Sequence, residues 1–212
     1  MTLMLTVLPA GPLETNAYIV ADSDDGCAVL VDAPPGSADA LMHAAADAGL
    51  VVQAIFITHA HWDHIGDAAA LKERTGAPLL AHRLCQESLE HPEHSTFDIP
   101  IKLEPVLVDQ FVDEGDTVTV GSHAFEVLHL PGHEPGHSVL YSAPERMIIG
   151  GDVLFPGGHG RIDIPGASKE EIDRSLSRLA EFPPDVTVYP GHGVETTIGA
   201  EAWLERYRGS AI

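Results

Sequence analysis

The run Thr58-His59-Ala60-His61-Trp62-Asp63-His64 places three imidazoles and a carboxylate within six residues. Before it, Val51-Val52-Gln53-Ala54-Ile55-Phe56-Ile57 is apolar and β-branched, which predicts a buried strand. After it, residues 65–75 are rich in Ala, Leu, Lys and Glu and close at Gly76, which predicts a helix with a glycine stop. The polar groups therefore sit on the loop leaving a strand end, where a rigid sheet can hold them. A tight turn cannot send all four side chains to solvent or all four into a core. Unpaired buried polar groups are costly, so side chains of these types that must converge are best explained by a metal. Imidazole with carboxylate suits zinc, iron or manganese.

Three further stretches share one grammar: a short β-rich run, a Gly or Pro turn, then a His or Asp. They are Leu130-Pro131-Gly132-His133-Glu134-Pro135-Gly136-His137, Ile148-Ile149-Gly150-Gly151-Asp152 and Val186-Thr187-Val188-Tyr189-Pro190-Gly191-His192-Gly193. Glycine permits the sharp turn and lets ligands approach closely. His59, His61, Asp63, His64, His133, Asp152 and His192 are thus all placed at strand ends, and seven candidate ligands suit two ions better than one. If Asp152 bridges, His59, His61 and His133 serve one ion, and Asp63, His64 and His192 the other.

The order His-x-His-x-Asp-His, then His, Asp and His, resembles the binuclear signature of the metallo-β-lactamase superfamily, and the resemblance runs from the opening strand to His192. It implies an α/β fold, the four-layer αββα sandwich, with the metals at one edge between two mixed sheets. The strings from Pro131 to Ser138 and from Phe155 to Asp163 look most like the short bacterial type II glyoxalases, which hydrolyse hydroxyacylglutathione thioesters. That branch reads Gly-Arg-Thr-Asp where this chain has Gly160-Arg161-Ile162-Asp163, and His159 also departs from it. Neither cysteine falls at a ligand position and Asp152 is present, which argues against β-lactam hydrolysis. Flavodiiron proteins commonly carry Glu where His61 stands, and long nucleases of the superfamily add nucleic-acid-binding parts absent from this sequence.

The resemblance implies two divalent ions, zinc first and iron or manganese as alternatives, roughly 3.5–4 Å apart and sharing a water whose pKa falls towards neutrality. The resulting hydroxide is the nucleophile, the ion on His59, His61 and His133 polarises a thioester carbonyl, and a thiolate of pKa near 8.5 leaves without a strong general acid. Asp63 and Asp152 are the carboxylates closest to this chemistry. Asp32, which ends an apolar run at residues 28–31, is expected to hydrogen-bond a ligand imidazole, and His137 to act in the same supporting way. Arg161 and Asp163 are expected to shape the substrate mouth or to pair with each other. Tyr141 reads as packing. His91 and His94, in a polar His-Pro-Glu-His loop, read as solvated surface, as do His43, His82 and His123. Two rivals share the fold: a persulfide dioxygenase with one iron on two His and one Asp, and a lactonase using the same hydroxide.

Apolar runs near residues 2–8, 16–21, 28–32, 54–58, 78–81, 105–108, 117–120, 125–129, 139–142, 147–150 and 186–189 predict strands. Helical patterns fall near 37–48, 65–75, 83–89, 168–181 and 196–207. Ser168-Lys169-Glu170-Glu171 reads as a capping box, with Ile172, Leu176 and Leu179 on the apolar stripe behind it.

At 212 residues the chain fits one domain, 1–212, large enough for a real core. The superfamily's two halves, near 1–115 and 116–212, are expected to repeat one another in form. Residues 1–8 lack a basic flank and meet Pro9, which argues for a strand over a signal peptide, and no run is long enough to span a membrane. Two cysteines are too few for a disulfide framework, which fits the cytoplasm. Eleven Lys and Arg against 32 Asp and Glu give a net charge of −21. Such a surface repels phosphate backbones and anionic lipid, which argues for a small-molecule substrate and against nucleic-acid or membrane partners. It also opposes anionic thiol conjugates at long range, although salt screens beyond about 8 Å. About twenty residues follow His192, too few for the helical domain with which longer type II glyoxalases grip glutathione, so the thiol carrier is open. Nothing in the sequence sets an oligomeric state.

Overall fold

The computed structural model describes residues 2–94 and 99–209. Two central strands, β2 (Thr15–Asp22) and β3 (Cys27–Val31), are buried along their whole length, the pattern of strands covered on both faces. Their side chains alternate between two cores. Ala17, Ile19, Ala28 and Leu30, with Ile55 and Ile57 of β4 (Val51–Ile57), face Leu41 of α1 (Ala38–Asp47) and Leu71 of α3 (Ala68–Thr75). Tyr18, Val20, Val29, Val31 and Phe56 point the other way, into a core shared with Phe125, Val127, Leu140 and Ile149. A third core joins Val139, Ile148 and Val188 to Ile172, Leu176 and Leu179 of α5 (Lys169–Ala180). Three cores between four layers make the αββα sandwich. Ser168 caps α5 as its sequence predicts, its hydroxyl accepting from Glu171 N at 3.3 Å.

The first sheet runs β1 (Leu3–Ala10), β2, β3, β4, β5 (Leu79–His82), β6 (Gln110–Val112). The second, in spatial order, runs β12 (Thr196–Thr197), β11 (Thr187–Pro190), β10 (Met147–Gly151), β9 (Ser138–Ser142), β8 (His123–His129), β7 (Thr117–Val120). The sheets divide the chain between Val112 and Thr117, matching the two expected halves. Strand β3 is parallel to β4, and β10 is parallel to β11, while β8 and β10 are both antiparallel to β9. The C-terminal ends of β3 and β4 therefore share one edge of the first sheet, and those of β8, β10 and β11 one edge of the second. Ser138 N donates to Thr58 O at 2.8 Å and Asn16 N to Gly191 O at 2.7 Å, stitching those two edges together.

Several expectations need correction. Residues 105–108 form no strand: Val106 N donates to Leu89 O at 2.8 Å, tying this run to α4 (Gln86–Glu90), and the sheet is extended by β6 instead. Residues 196–207 form no α-helix. Thr196 and Thr197 pair with β11, Gly199 N donates to Pro184 O at 2.8 Å, and the remainder coils in two 3₁₀ segments. Anchoring at both ends overrides the local helical pattern. His82 and His123 are buried rather than solvated. His82 stacks on His129 with ring centres 4.1 Å apart, and His123 Nδ1 lies 2.6 Å from Glu145 Oε1. Among the described residues no helix is long and apolar enough to cross a membrane.

Candidate metal centre

The strand ends deliver their side chains to one point. His59, His61, Asp63 and His64 follow β4, the last two within the short helix α2 (Trp62–Ile65); His133 follows β8, Asp152 follows β10 and His192 follows β11. Their ligating atoms form three interlocked groups, each with all atoms within 4.8 Å of one another: His59 with His61 and His133, His59 with His64 and Asp152, and Asp63 with His64 and His192. Asp152 lies between the outer groups, with Oδ2 3.5 Å from both His133 Nε2 and His192 Nε2 and Oδ1 3.4 Å from His64 Nε2. All seven residues singled out in the sequence converge.

A second ring of contacts aims them. The Asp32 carboxylate accepts from Thr58 N and Thr58 Oγ1, both at 2.8 Å, and lies 2.7 Å from His64 Nδ1. The Thr58 hydroxyl, having given its proton to Asp32, is an acceptor for His59 Nδ1 at 3.1 Å. His133 Nδ1 is 2.8 Å from Arg161 O and His192 Nδ1 is 3.1 Å from Leu13 O. In all four rings Nδ1 is engaged outward, which leaves Nε2 facing the centre. His61 Nδ1 lies 3.0 Å from His59 Nε2. His137 takes the supporting place expected of it: its Nε2 accepts from Asp152 N at 2.9 Å.

Close packing at the strand ends demands glycine. A Cβ on Gly191 would lie 2.1 Å from Asp152 Oδ1 and 2.6 Å from His64 Cε1. Gly151 has φ +47°, and a Cβ there would lie 2.8 Å from both His137 Nε2 and Thr58 Oγ1.

The electrostatics divide the imidazoles. Burial pushes His59 well below its ordinary value, His61 down to about 3 and His133 down as well, so these rings are neutral. Burial opposes charge on His64 too, but Asp32 and Asp152 outweigh it and raise that ring well above the ordinary value. His192 is likewise raised to about 9, its hydrogen bonds to Asp152 and Asp63 overcoming burial. Against the pull of burial, His192 holds Asp63 at about 2 and the His64 charge keeps Asp152 well below the carboxylate range. Two buried carboxylates thus attract positive charge to the centre, which metal ions can supply in place of protons. His64 Nε2, His133 Nε2 and Asp152 Oδ1 are buried and lack a hydrogen-bond partner, the condition expected of atoms that face a cation. The donor set fits two divalent ions.

Residues 10–192 match the family model of the metallo-beta-lactamase superfamily. The chain belongs to the metallo-β-lactamase superfamily. The superfamily binds a dinuclear metal site, and the His and Asp groups just described fit one. Hydroxyacylglutathione hydrolase GloC of Haemophilus influenzae is 33% identical to this superfamily member over 93% of this chain and 94% of its own. A crystal structure of BLEG-1 B3 metallo-beta-lactamase has a TM-score of 0.85 at 33% identity, covering 95% of this chain and 99% of that one. TTHA1623 in a di-iron-bound form gives 0.74 at 35% identity, covering 96% and 98%.

Beside the centre opens a cavity of about 710 Å³ lined by His61, Asp63, His133, Asp152, Arg161 and His192 together with apolar side chains. Arg161 lies at this mouth but is paired with Asp163, Nε to Oδ1 at 2.8 Å and Nη2 to Oδ2 at 3.0 Å. Tyr141 packs edge-on against Phe182, ring centres 4.7 Å apart, as expected of it. His91 and His94 are exposed, as expected, and stack on each other beside a neighbouring cavity of about 290 Å³.

Sequence reasoning missed Thr15, whose hydroxyl donates to Asp63 Oδ2 at 2.8 Å, and Tyr18, whose hydroxyl donates to Pro190 O at 2.6 Å and braces the turn before His192. It also missed Glu201, a buried carboxylate accepting from Gly157 N and Trp203 Nε1, each at 2.7 Å, which ties the loop after Asp152 to the C-terminal segment. These residues stand far from any ligand motif, and no local signal marks them. Thr58 was within the motif, but only its contact with Asp32 reveals its role.

Proposed function

We propose that the chain is a thioesterase of the type II glyoxalase kind, hydrolysing an acyl thioester such as S-lactoylglutathione. The observation that carries this reading is the shared position of Asp152 between two complete ligand groups, each with imidazole Nε2 atoms turned inward. His59, His61 and His133 would hold one divalent ion, Asp63, His64 and His192 the other, with Asp152 between them. Ions so held supply a Lewis acid for the carbonyl and an activated water. Among the described residues lining the cavity there is no serine, cysteine or lysine to act as nucleophile, which supports attack by water. Asp63 and Asp152 stay ionised and bind, and no proton donor is needed for a thiolate leaving group. The near full-length similarity to GloC supports the thioester class. Zinc is our first assignment, and the di-iron form of TTHA1623 supports iron as the alternative.

Cys27 and Cys85 are buried and unpaired, in keeping with our placement of the protein in the cytoplasm as one domain, 1–212. Elemental analysis of protein purified without added metal, with an S-lactoylglutathione assay on the same preparation, tests the function. Two ions per chain and chelator-sensitive hydrolysis are expected. Two ions per chain without hydrolysis of any thioester would overturn the reading, and one iron with oxygen uptake on a persulfide would replace it by the dioxygenase.

A further inference from the structure

The walls of the 710 Å³ cavity say what the substrate carries beyond its scissile bond. Apart from the proposed ligands and Arg161, the cavity is lined by Leu13, Trp62, Phe155, Pro156, Ile164 and Val194, with glycine backbone between them. Leu13 is 52% exposed and Val194 69% exposed, and with Phe155 and Ile164 they give the mouth an apolar side beside a site of buried charge. They stand on the two segments that meet at His192, where His192 Nδ1 reaches Leu13 O at 3.1 Å. Phe155 completes that side, its ring centre 6.2 Å from that of His192. Arg161, the one Lys or Arg side chain lining the cavity among the described residues, has its Nε and Nη2 both bound by Asp163. A carboxylate-bearing carrier would have to compete with Asp163 for Arg161 and would approach a chain of net charge −21.

Resting on the thioesterase reading, we infer that the preferred substrate is an acyl thioester whose carrier is apolar and uncharged, seated on Leu13, Phe155, Ile164 and Val194, and that anionic glutathione conjugates are poorer substrates. Water-repelling contact at these walls rewards each added methylene that is buried, by about fourfold in kcat/KM.

The test compares kcat/KM for S-lactoylglutathione with a series of lactoyl thioesters of neutral alkyl thiols of increasing length, using metal-loaded enzyme and the variants Val194→Lys and Leu13→Lys. Both positions are exposed, so metal content and circular dichroism should match the parent. The expected result is a rise of about fourfold per methylene until the wall is covered, a neutral thioester at least tenfold better than S-lactoylglutathione, and a fall in that ratio of tenfold or more in either variant. A flat length series, or S-lactoylglutathione as the equal or better substrate, overturns the inference and leaves the thioesterase reading standing. No hydrolysis of any thioester by fully metal-loaded protein overturns both.

Discussion

Asp32 and His64 meet at 2.7 Å, Oδ2 to Nδ1, with both groups almost wholly buried. Through that contact and the two it receives from Thr58, one carboxylate sets the orientation of two imidazoles, His64 directly and His59 by way of the Thr58 hydroxyl. Asp32 holds this place in a left-handed backbone conformation, φ +61°, which Asn tolerates better than most residues. Asp32→Asn should therefore fold normally while weakening metal binding by about 10–100-fold. Titration against a competing chromophoric chelator measures this, and unaltered affinity would show that the contact does not orient the site.

Asp152→Ala should abolish turnover, as should His59→Ala, while circular dichroism stays that of the parent because the sheets carry the fold. Retained activity in Asp152→Ala would show that no step depends on a carboxylate between the two groups. His91→Ala, outside the centre on an exposed loop, should leave kcat and KM unchanged.

Gly191→Ala places a methyl group where Asp152 Oδ1 and His64 now sit. Displacing both by even about 1 Å should cost on the order of 100-fold in turnover and lower the metal content per chain. Parent-like activity and metal content would mean that the turn yields without moving either side chain.

Acid stability offers a test away from the centre. Asp22 accepts from Ser122 N at 3.1 Å and Ser122 Oγ at 2.8 Å, and the Ser122 amide is the main influence lowering its carboxyl from 3.8 to about 2. The unfolded chain takes up this proton near the ordinary value while the folded chain resists it until about pH 2. The unfolded state binds more protons in that interval, so the contribution of Asp22 is complete above pH 3.8 and is lost as the pH falls towards 2. Urea midpoints of metal-free protein should fall less steeply across this interval in Asp22→Asn than in the parent. Parallel slopes would remove Asp22 from the acid transition.

Much of the site was readable because its signal is local. The residues His59 to His64 must crowd one another whatever the fold, since consecutive side chains on one loop cannot separate. Likewise the apolar runs of β3 and β4 and the Ser168 cap of α5 depend on neighbours along the chain, and each appears where the pattern placed it. Long-range contacts were not readable in this way. No spacing links Thr15 to Asp63 or Glu201 to Gly157, because these pairings arise only when the edges of two sheets meet. The same cause defeated the helix over 196–207: its propensity is real, but pairing of Thr196 and Thr197 with β11 and the anchoring of Gly199 leave no room for an α-helical path. His82 and His123 were misjudged because burial is a property of packing, and both rings find partners distant in sequence. Residue types and local spacing alone brought out the candidate ligand set, and the resemblance to the metallo-β-lactamase superfamily supplied the layer order. Tertiary structure decided which nitrogen each ring presents, how Arg161 is engaged and which apolar side chains wall the mouth, because those depend on distances between segments that the chain brings together only on folding.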